Sequence, residues 1–302
     1  MDGINTRNRR MGIRPKFIFY KIIIKCFRVA GILPLLSDKV FLKMYYPVMM
    51  NEELDLKNPK TFNQKLQWLK LYDRKPEYTT MVDKYAVKKY VADKIGKEYI
   101  IPTLGVWDSF DDIDFDSLPN QFVLKCTHDS GGLVICRDKS KLDIAMAKKK
   151  INMSLKHDYF YNGREWPYKN VPHRIIAEQY MADDIRDYKL FCFEGAPRMT
   201  LVCSERFTKD VYNETWNHLN IQRPAHGNAT FPIQCPKQYV LMKRLATKLS
   251  EKMPFSRIDF YEINEKVYFG EITFYPASGF EGFKPEEWDL KLGEWSRLPA
   301  GG

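Results

Sequence analysis

Near its C-terminus the chain carries two alternating runs, Arg257-Ile258-Asp259-Phe260-Tyr261 and Phe269-Gly270-Glu271-Ile272-Thr273, with Asn264 and Glu265 between them. A period of two belongs to strands with one covered face, and so short a connection joins only antiparallel neighbours. The segment therefore predicts a hairpin. With Asn264 to Lys266 as a three-residue loop, Ile263 faces Val267 and Asp259 faces Glu271. Facing residues hold their Cβ atoms about 5 Å apart on one face. Two carboxylates that close repel unless a proton or a cation lies between them. Magnesium suits the position, since it takes one or two carboxylates together with phosphate oxygens. Arg257 falls on the same face, beside the expected metal. A plain surface hairpin would show the same alternation, so the segment alone leaves both readings open.

A second segment, Phe122-Val123-Leu124-Lys125 followed by Cys126-Thr127-His128-Asp129-Ser130-Gly131-Gly132 and Leu133-Val134-Ile135, closes an apolar strand with a lysine. Glycines let loop N–H groups approach phosphate oxygens, and a lysine beside them supplies a point charge. A simple hairpin turn would also explain the pattern, and the spacing is not that of a Walker A loop. A third segment, Ile175-Ile176-Ala177-Glu178-Gln179-Tyr180-Met181, runs from an apolar strand to a carboxylate and extended backbone, which suits the edge of a base. Asp184 or Asp187 follows at a distance suited to ribose hydroxyls, and Lys189 points from the next strand towards the same cleft. No Ser/His/Asp or Cys/His arrangement with a recognisable spacing is present.

Elsewhere the chain alternates helices with hairpins. Residues 12–48 read as helical, ending near Tyr46-Pro47, and Thr61 with Gln64 three residues on forms a capping box for a helix through Leu71. One helix is expected from Val82 to Ile95 and another from Leu142 to Leu155. Residues 188–193 and 199–204 pair across Glu194-Gly195, 207–236 read as a long loop, and 237–252 are helical. This order predicts an α+β or mixed fold rather than a parallel doubly wound sheet.

The net charge is +10, yet residues 1–30 hold eight cations (Arg7, Arg9, Arg10, Arg14, Lys16, Lys21, Lys25, Arg28) against Asp2, a net +7. A basic excess confined to one end argues for a local surface contact rather than a nucleic acid. Read as a helix, this segment sets Arg14, Lys21, Lys25 and Arg28 on one face and turns Phe19, Ile22, Ile23 and Phe27 away from it. Residues 12–30 thus suit an anionic membrane surface, or a terminal helix docked on the protein body. The interspersed cations leave neither a cleavable leader nor a membrane span, and six scattered cysteines without a C-x-x-C pair fit a reducing, cytoplasmic setting.

Taken in order, these segments resemble the ATP-grasp superfamily, and within it the TupA-like branch associated with teichuronopeptide and capsular polysaccharide synthesis. The resemblance begins at Asn58-Pro59-Lys60-Thr61-Phe62-Asn63-Gln64-Lys65, continues through Asp83-Lys84-Tyr85 and ends at Pro276-Ala277-Ser278-Gly279. It implies an ATP-grasp fold of two α+β subdomains behind a helical N-terminal region: residues 1–80 helical, 81–181 a lid, and 182–302 the metal-binding part. It implies ATP and Mg2+ as cofactors. Lys84 and Lys125 would meet the phosphates under a flap of His128, Ser130, Gly131 and Gly132. Glu178, Gln179, Tyr180 and Met181 would hold adenine, and Asp184 or Asp187 ribose. Asp259, Glu271 and Thr273 would hold the metal, and Arg257 and Lys189 would serve catalysis. The reaction implied is amide formation between a uronic acid of a glycan and an amine, at or near the inner membrane face. A metal-dependent glycosyltransferase using a nucleotide sugar, and a membrane-associated scaffold with a decayed nucleotide site, are the alternatives. Two departures from the superfamily pattern stand out: Thr273 replaces the usual asparagine after Glu271-Ile272, and no α/β substrate domain precedes residue 80.

Overall fold

Ser37 caps the second helix of the chain, and its placement shows how local chemistry sets the N-terminal architecture. The computed structural model describes residues 13–183, 185–203, 208–223 and 226–300. Asp184 and the arginines Arg7, Arg9 and Arg10 lie outside the described residues. Helix α1 (Pro15–Val29) turns back through a short 3-10 segment into α2 (Asp38–Met50), where Ser37 Oγ accepts from the Val40 amide. The second helix does not stop at Tyr46-Pro47 as expected. Pro47 lies within it, and the end comes at Asn51, whose φ of 58° closes the last turn. In α3 (Phe62–Tyr72) the capping box is present: Thr61 Oγ1 accepts from the Gln64 amide at 3.3 Å. Gln64 reaches back one residue further than the pattern requires, to the Lys60 amide at 2.9 Å.

The helix expected from Val82 to Ile95 starts later, as α5 (Ala86–Ile95), and a separate short helix, α4 (Glu77–Val82), precedes it. Asp83 causes the break, because its Oδ1 takes the amides of Tyr85 (2.8 Å) and Ala86 (3.1 Å) in place of helical bonding. Its other oxygen pairs with Arg174 at 2.7 Å.

The first sheet has strands β1 (Thr103–Trp107), β2 (Phe122–Cys126), β3 (Leu133–Cys136) and, after helices α6 (Ile144–Leu155) and α7 (Phe160–Gly163), β4 (Ile175–Gln179). Their order is β1-β4-β2-β3 and every pairing is antiparallel. Phe122, Leu124 and Cys126 alternate into a core with Ala147 and Ile151 of α6, which leaves Lys125 on the opposite face.

The second sheet comprises β5 (Asp187–Phe193), β6 (Ala196–Cys203), β7 (Lys209–Asn213) and β8 (His218–Leu219), then, after α8 (Tyr239–Leu249), β9 (Phe255–Ile263) and β10 (Lys266–Thr273). Its order is β10-β9-β5-β6-β7-β8, again antiparallel throughout. Helix α9 (Glu287–Trp295) packs on α3. Strands β7 and β8 correct the long loop expected over residues 207–236. The Asn- and Thr-rich stretch is their turn, in which Asn213 Oδ1 takes the amides of Thr215 and Asn217. Helix α8 covers the face bearing Leu190 and Thr200, with Tyr239 OH 2.9 Å from Thr200 Oγ1. Phe62 of α3 packs against Phe191, Phe193 and Phe255 on the other face. Arg257, Asp259, Asp187 and Lys189 alternate onto that second face.

Candidate active site

The hairpin β9–β10 builds the charged heart of the site by a route the alternation did not reveal. Its loop has two residues rather than three: Asn264 and Glu265 sit at φ 51° and 61°, and Ile263 pairs with Lys266 instead of Val267. Continued without interruption, that register would set Glu271 against Ile258 on the covered face. The register instead shifts between Phe269 and Ile272, so that Gly270 and Glu271 together oppose Asp259. This bulge returns Glu271 to the side of Asp259. Gly270 suits it, since a Cβ there would meet the Asp259 carbonyl and the Tyr261 ring at 3.2 Å.

Arg257 lies between the two carboxylates. Its Nε and Nη2 donate to Asp259 at 2.7 Å each, and Nη2 also reaches Glu271 Oε1 at 2.5 Å. Lys189 Nζ donates to Asp259 Oδ2 at 2.5 Å and pairs with Asp187. Asp259 is fully buried, and burial pushes its carboxyl up to about 6 despite Arg257 and Lys189. Burial also works against the Glu271 carboxylate, but Arg257, Lys189 and Lys84 outweigh it and hold the group down to about 2. Burial opposes the charge on Lys189 as well, and Asp259 offsets it enough to raise the lysine above its ordinary value. Thr273 donates its hydroxyl to Glu271 Oε1 at 3.1 Å.

Across the cleft the first sheet supplies a second set. Glu178, buried at the end of β4, receives Lys125 on one oxygen and Lys88 on the other, each at 2.6 Å. The two cations outweigh burial and lower its pKa. Lys84 sits in the break between α4 and α5, where its amide bonds the Thr127 carbonyl at 3.1 Å and its ammonium reaches the Asp129 carbonyl. Burial lowers the Lys84 pKa, against Glu271 and Asp129. The Gly-rich loop folds back on itself: Asp129 accepts from the Gly132 amide at 3.1 and 3.2 Å and from the Ser154 hydroxyl. Residue 132 must be glycine, because a Cβ there would come within 2.5 Å of Cys126 Sγ and Ser154 Oγ.

Between the two sheets lies a cavity of about 320 Å³. Of the residues read from the sequence, Lys84, Lys125, Ser130, Gly132, Glu178, Asp187, Lys189 and Glu271 line it. Asp259 and Arg257 stand directly behind Glu271. Gln179 is exposed, and Tyr180 bonds Asp183, so the structure brings neither them nor Met181 to the cavity wall. Gly131 is exposed on the loop, outside the lining. His128 is also corrected. It is buried, stacked on His173 with ring centroids 3.6 Å apart, and its Nε2 faces the carbonyls of Ser154 and His157. It supports the loop from beneath rather than facing a ligand.

Lys88 was missed by the sequence reading, although it follows Lys84 by four residues and that spacing places two side chains on one side of a helix. Ile100, Ile101, Leu133 and Phe269 were missed as well, and they give the cavity apolar walls suited to a flat ring. The result is a cleft with Lys84, Lys88 and Lys125 along one wall and an acidic pair with its own cations on the other. Such an arrangement accommodates a polyphosphate whose charge is divided between lysines and a divalent cation. Among the described residues no group of three or more His, Cys, Asp or Glu forms a complete metal shell. Asp259 and Glu271 fit magnesium, which takes a few carboxylates and completes its shell with phosphate oxygens and water.

Among solved structures the chain is similar to a D-alanine–D-alanine ligase from Helicobacter pylori, at 15% identity and a TM-score of 0.43 over 80% of this chain and 70% of that one. It is also similar to an L-amino acid ligase from Bacillus licheniformis (12% identity, TM-score 0.41, 72% of this chain and 49% of that one). An N5-carboxyaminoimidazole synthetase from Staphylococcus aureus follows (14%, 0.38, 73% and 53%). No curated protein matches the chain by sequence. Residues 64–296 match the model of the TupA-like ATP-grasp family, and the chain belongs to that family.

Proposed function

We propose that this ATP-grasp enzyme is a carboxylate–amine ligase that forms an amide on a bacterial surface polysaccharide or its precursor. The observation that carries the reading is that Glu271 and Lys189, backed by Asp259 and Arg257, form one wall of a cavity whose other wall presents Lys84, Lys88 and Lys125. In the reaction proposed, a substrate carboxylate oxygen attacks the γ-phosphorus of ATP and ADP leaves. The amine nitrogen then attacks the acyl carbon, phosphate leaves, and the nitrogen loses a proton. The protein supplies position and charge for both steps, as is usual for phosphoryl transfer. Lys125 and Lys84 take the nucleotide phosphates, Glu178 and Asp187 the nucleoside. Magnesium, when bound, would neutralise phosphate charge at Asp259 and Glu271. Arg257 and Lys189 would then stabilise negative charge on the transferred phosphoryl group and on the oxygen of the tetrahedral intermediate.

The finer assignment follows the resemblance: the carboxylate is a uronic acid, the amine an amino acid or simple amine, and the glycan is carried on lipid at the inner membrane face. Residues 1–80 form the helical region, 81–181 the lid and 182–302 the metal-binding part of this enzyme. Family membership supports an ATP-using reading over a sugar-nucleotide one. The test is to incubate the protein with Mg·ATP, a glucuronate-containing oligosaccharide and hydroxylamine, which captures an activated carboxyl group. Hydroxamate formed in step with ADP supports the ligase. ADP released without hydroxamate, or turnover of a UDP-sugar without ATP, would sink it.

A further inference from the structure

Helix α1 carries three stripes. At about 100° per residue, Phe17 and Ile24 point inward, with Tyr20, Ile23 and Phe27 half-buried beside them. Packing against α2 therefore uses one side of the helix. Next round the helix come Arg14, Lys21, Lys25 and Arg28, all exposed. Beyond these, over an arc of about 100°, lie Ile18, Phe19, Ile22, Cys26 and Val29, also exposed. Phe19 keeps 64% of its surface open, Ile22 56% and Val29 84%. Leu35, at the tip of the helical hairpin, is 81% exposed and extends the same apolar character. The docked reading of the basic segment is realised on one face, and a second apolar face is left outside.

A helix that needed only to dock would turn polar residues outward. Here the outer side is apolar, and the basic stripe runs along its border. The segment Pro15–Val29 contains no acidic residue, and Lys21 and Lys25 have no ion pair among the described residues. A second copy of the chain would cover the apolar arc but would set one basic stripe against another. An anionic bilayer satisfies both stripes at once, with apolar side chains below the headgroups and ammonium and guanidinium groups among them. The helix has 15 residues, about 22 Å of length, which is short of a bilayer core and so requires it to lie along the surface. No helix among the described residues is long and apolar enough to cross a membrane.

We infer that the outer arc of α1, with Leu35, seats the protein on anionic phospholipid, and that Arg14, Lys21, Lys25 and Arg28 hold the lipid headgroups. This names the surface behind the membrane location proposed above, but it stands whether or not the ligase chemistry does. The full chain is floated with vesicles of phosphatidylcholine alone and with about 30% phosphatidylglycerol, where each basic side chain contributes about fivefold in affinity. Strong, salt-sensitive binding to the anionic vesicles only is expected. Lys21→Glu/Lys25→Glu and Phe19→Ser/Ile22→Ser should each lose it by at least about tenfold. Both pairs are exposed, so melting temperature and ATP binding should match the parent and exclude unfolding. A polarity-sensitive dye on Cys26, in a Cys235→Ser background, should shift to the blue with anionic vesicles. Equal binding to neutral vesicles, no binding to either, or variants that bind like the parent would overturn the inference. So would a concentration-dependent dimer that Phe19→Ser/Ile22→Ser dissolves, which would assign the face to a second copy.

Discussion

The hairpin β9–β10 and the helical hairpin α1–α2 are both rich in charge, yet they handle it in opposite ways. Around β9–β10 the buried charged groups have partners inside the protein: Arg257 binds Asp259 and Glu271, and Lys189 of the adjoining β5 binds Asp259 and Asp187. On α1, Lys21 and Lys25 face water beside open apolar surface. Buried charge must be paired because desolvation costs several kcal/mol per ion, whereas exposed charge need not be. The first arrangement satisfies its charges within the protein. The second is complete only when something outside the protein completes it.

The largest test of this contrast is Asp259→Asn. Removing one charge from the buried cluster leaves Arg257 and Lys189 short of a partner, at a cost of about 3–5 kcal/mol. Loss of a carboxylate proposed to hold magnesium at the transferred phosphoryl should lower turnover by about 100-fold or more. Thermal melting and ADP release measure the two effects separately. Wild-type stability together with wild-type turnover would remove the cluster from the mechanism.

A smaller effect is expected at His128, whose role is assigned to support of the loop. Burial, reinforced by the neighbouring His173, lowers its pKa below the ordinary histidine value. The unfolded chain therefore takes up a proton at about pH 6.5 that the folded chain still refuses. Stability should fall as pH drops through that value. His128→Phe keeps a ring against His173 and removes the titration, so denaturant midpoints between about pH 7 and pH 5 should decline less steeply. An unchanged slope would contradict the assignment. The smallest effect belongs to α1, where Phe19→Ser/Ile22→Ser should change stability by about 0.5 kcal/mol or less per site. A larger loss would show that this face is packed rather than open.

Much of the molecule could be read before it was seen, and the failures have specific physical causes. Alternation points to β9 and β10, where a period of two survives in sequence, and short apolar runs point to β2, β4 and β5, which are largely buried. The pairing of Asp259 with Glu271 was anticipated through an incorrect three-residue loop. A shorter loop and a bulge shift the register in compensating directions, and no single-strand pattern distinguishes the two routes. The helix expected from Val82 starts instead at Ala86; the side-chain bonds of Asp83 to Tyr85 and Ala86, which break the helical bonding there, leave no trace in hydrophobic periodicity. The same break carries Lys84 to the cleft. Strands β7 and β8 were hidden by the polar turn between them. Lys88 was overlooked because its partner, Glu178, lies far along the chain and on another element. His128 looked chemically inviting in the sequence, but its burial is a property of the packed fold.

The measurement that bears most directly on the central claim is calorimetric titration of Mg·ATP into the wild-type chain and into Lys125→Met and Glu271→Gln. The cavity joins two sheets, so ATP should bind only with magnesium present, weakly to Lys125→Met, and without metal dependence to Glu271→Gln. Equal, metal-independent binding by all three proteins would contradict the placement of ATP between the two sheets.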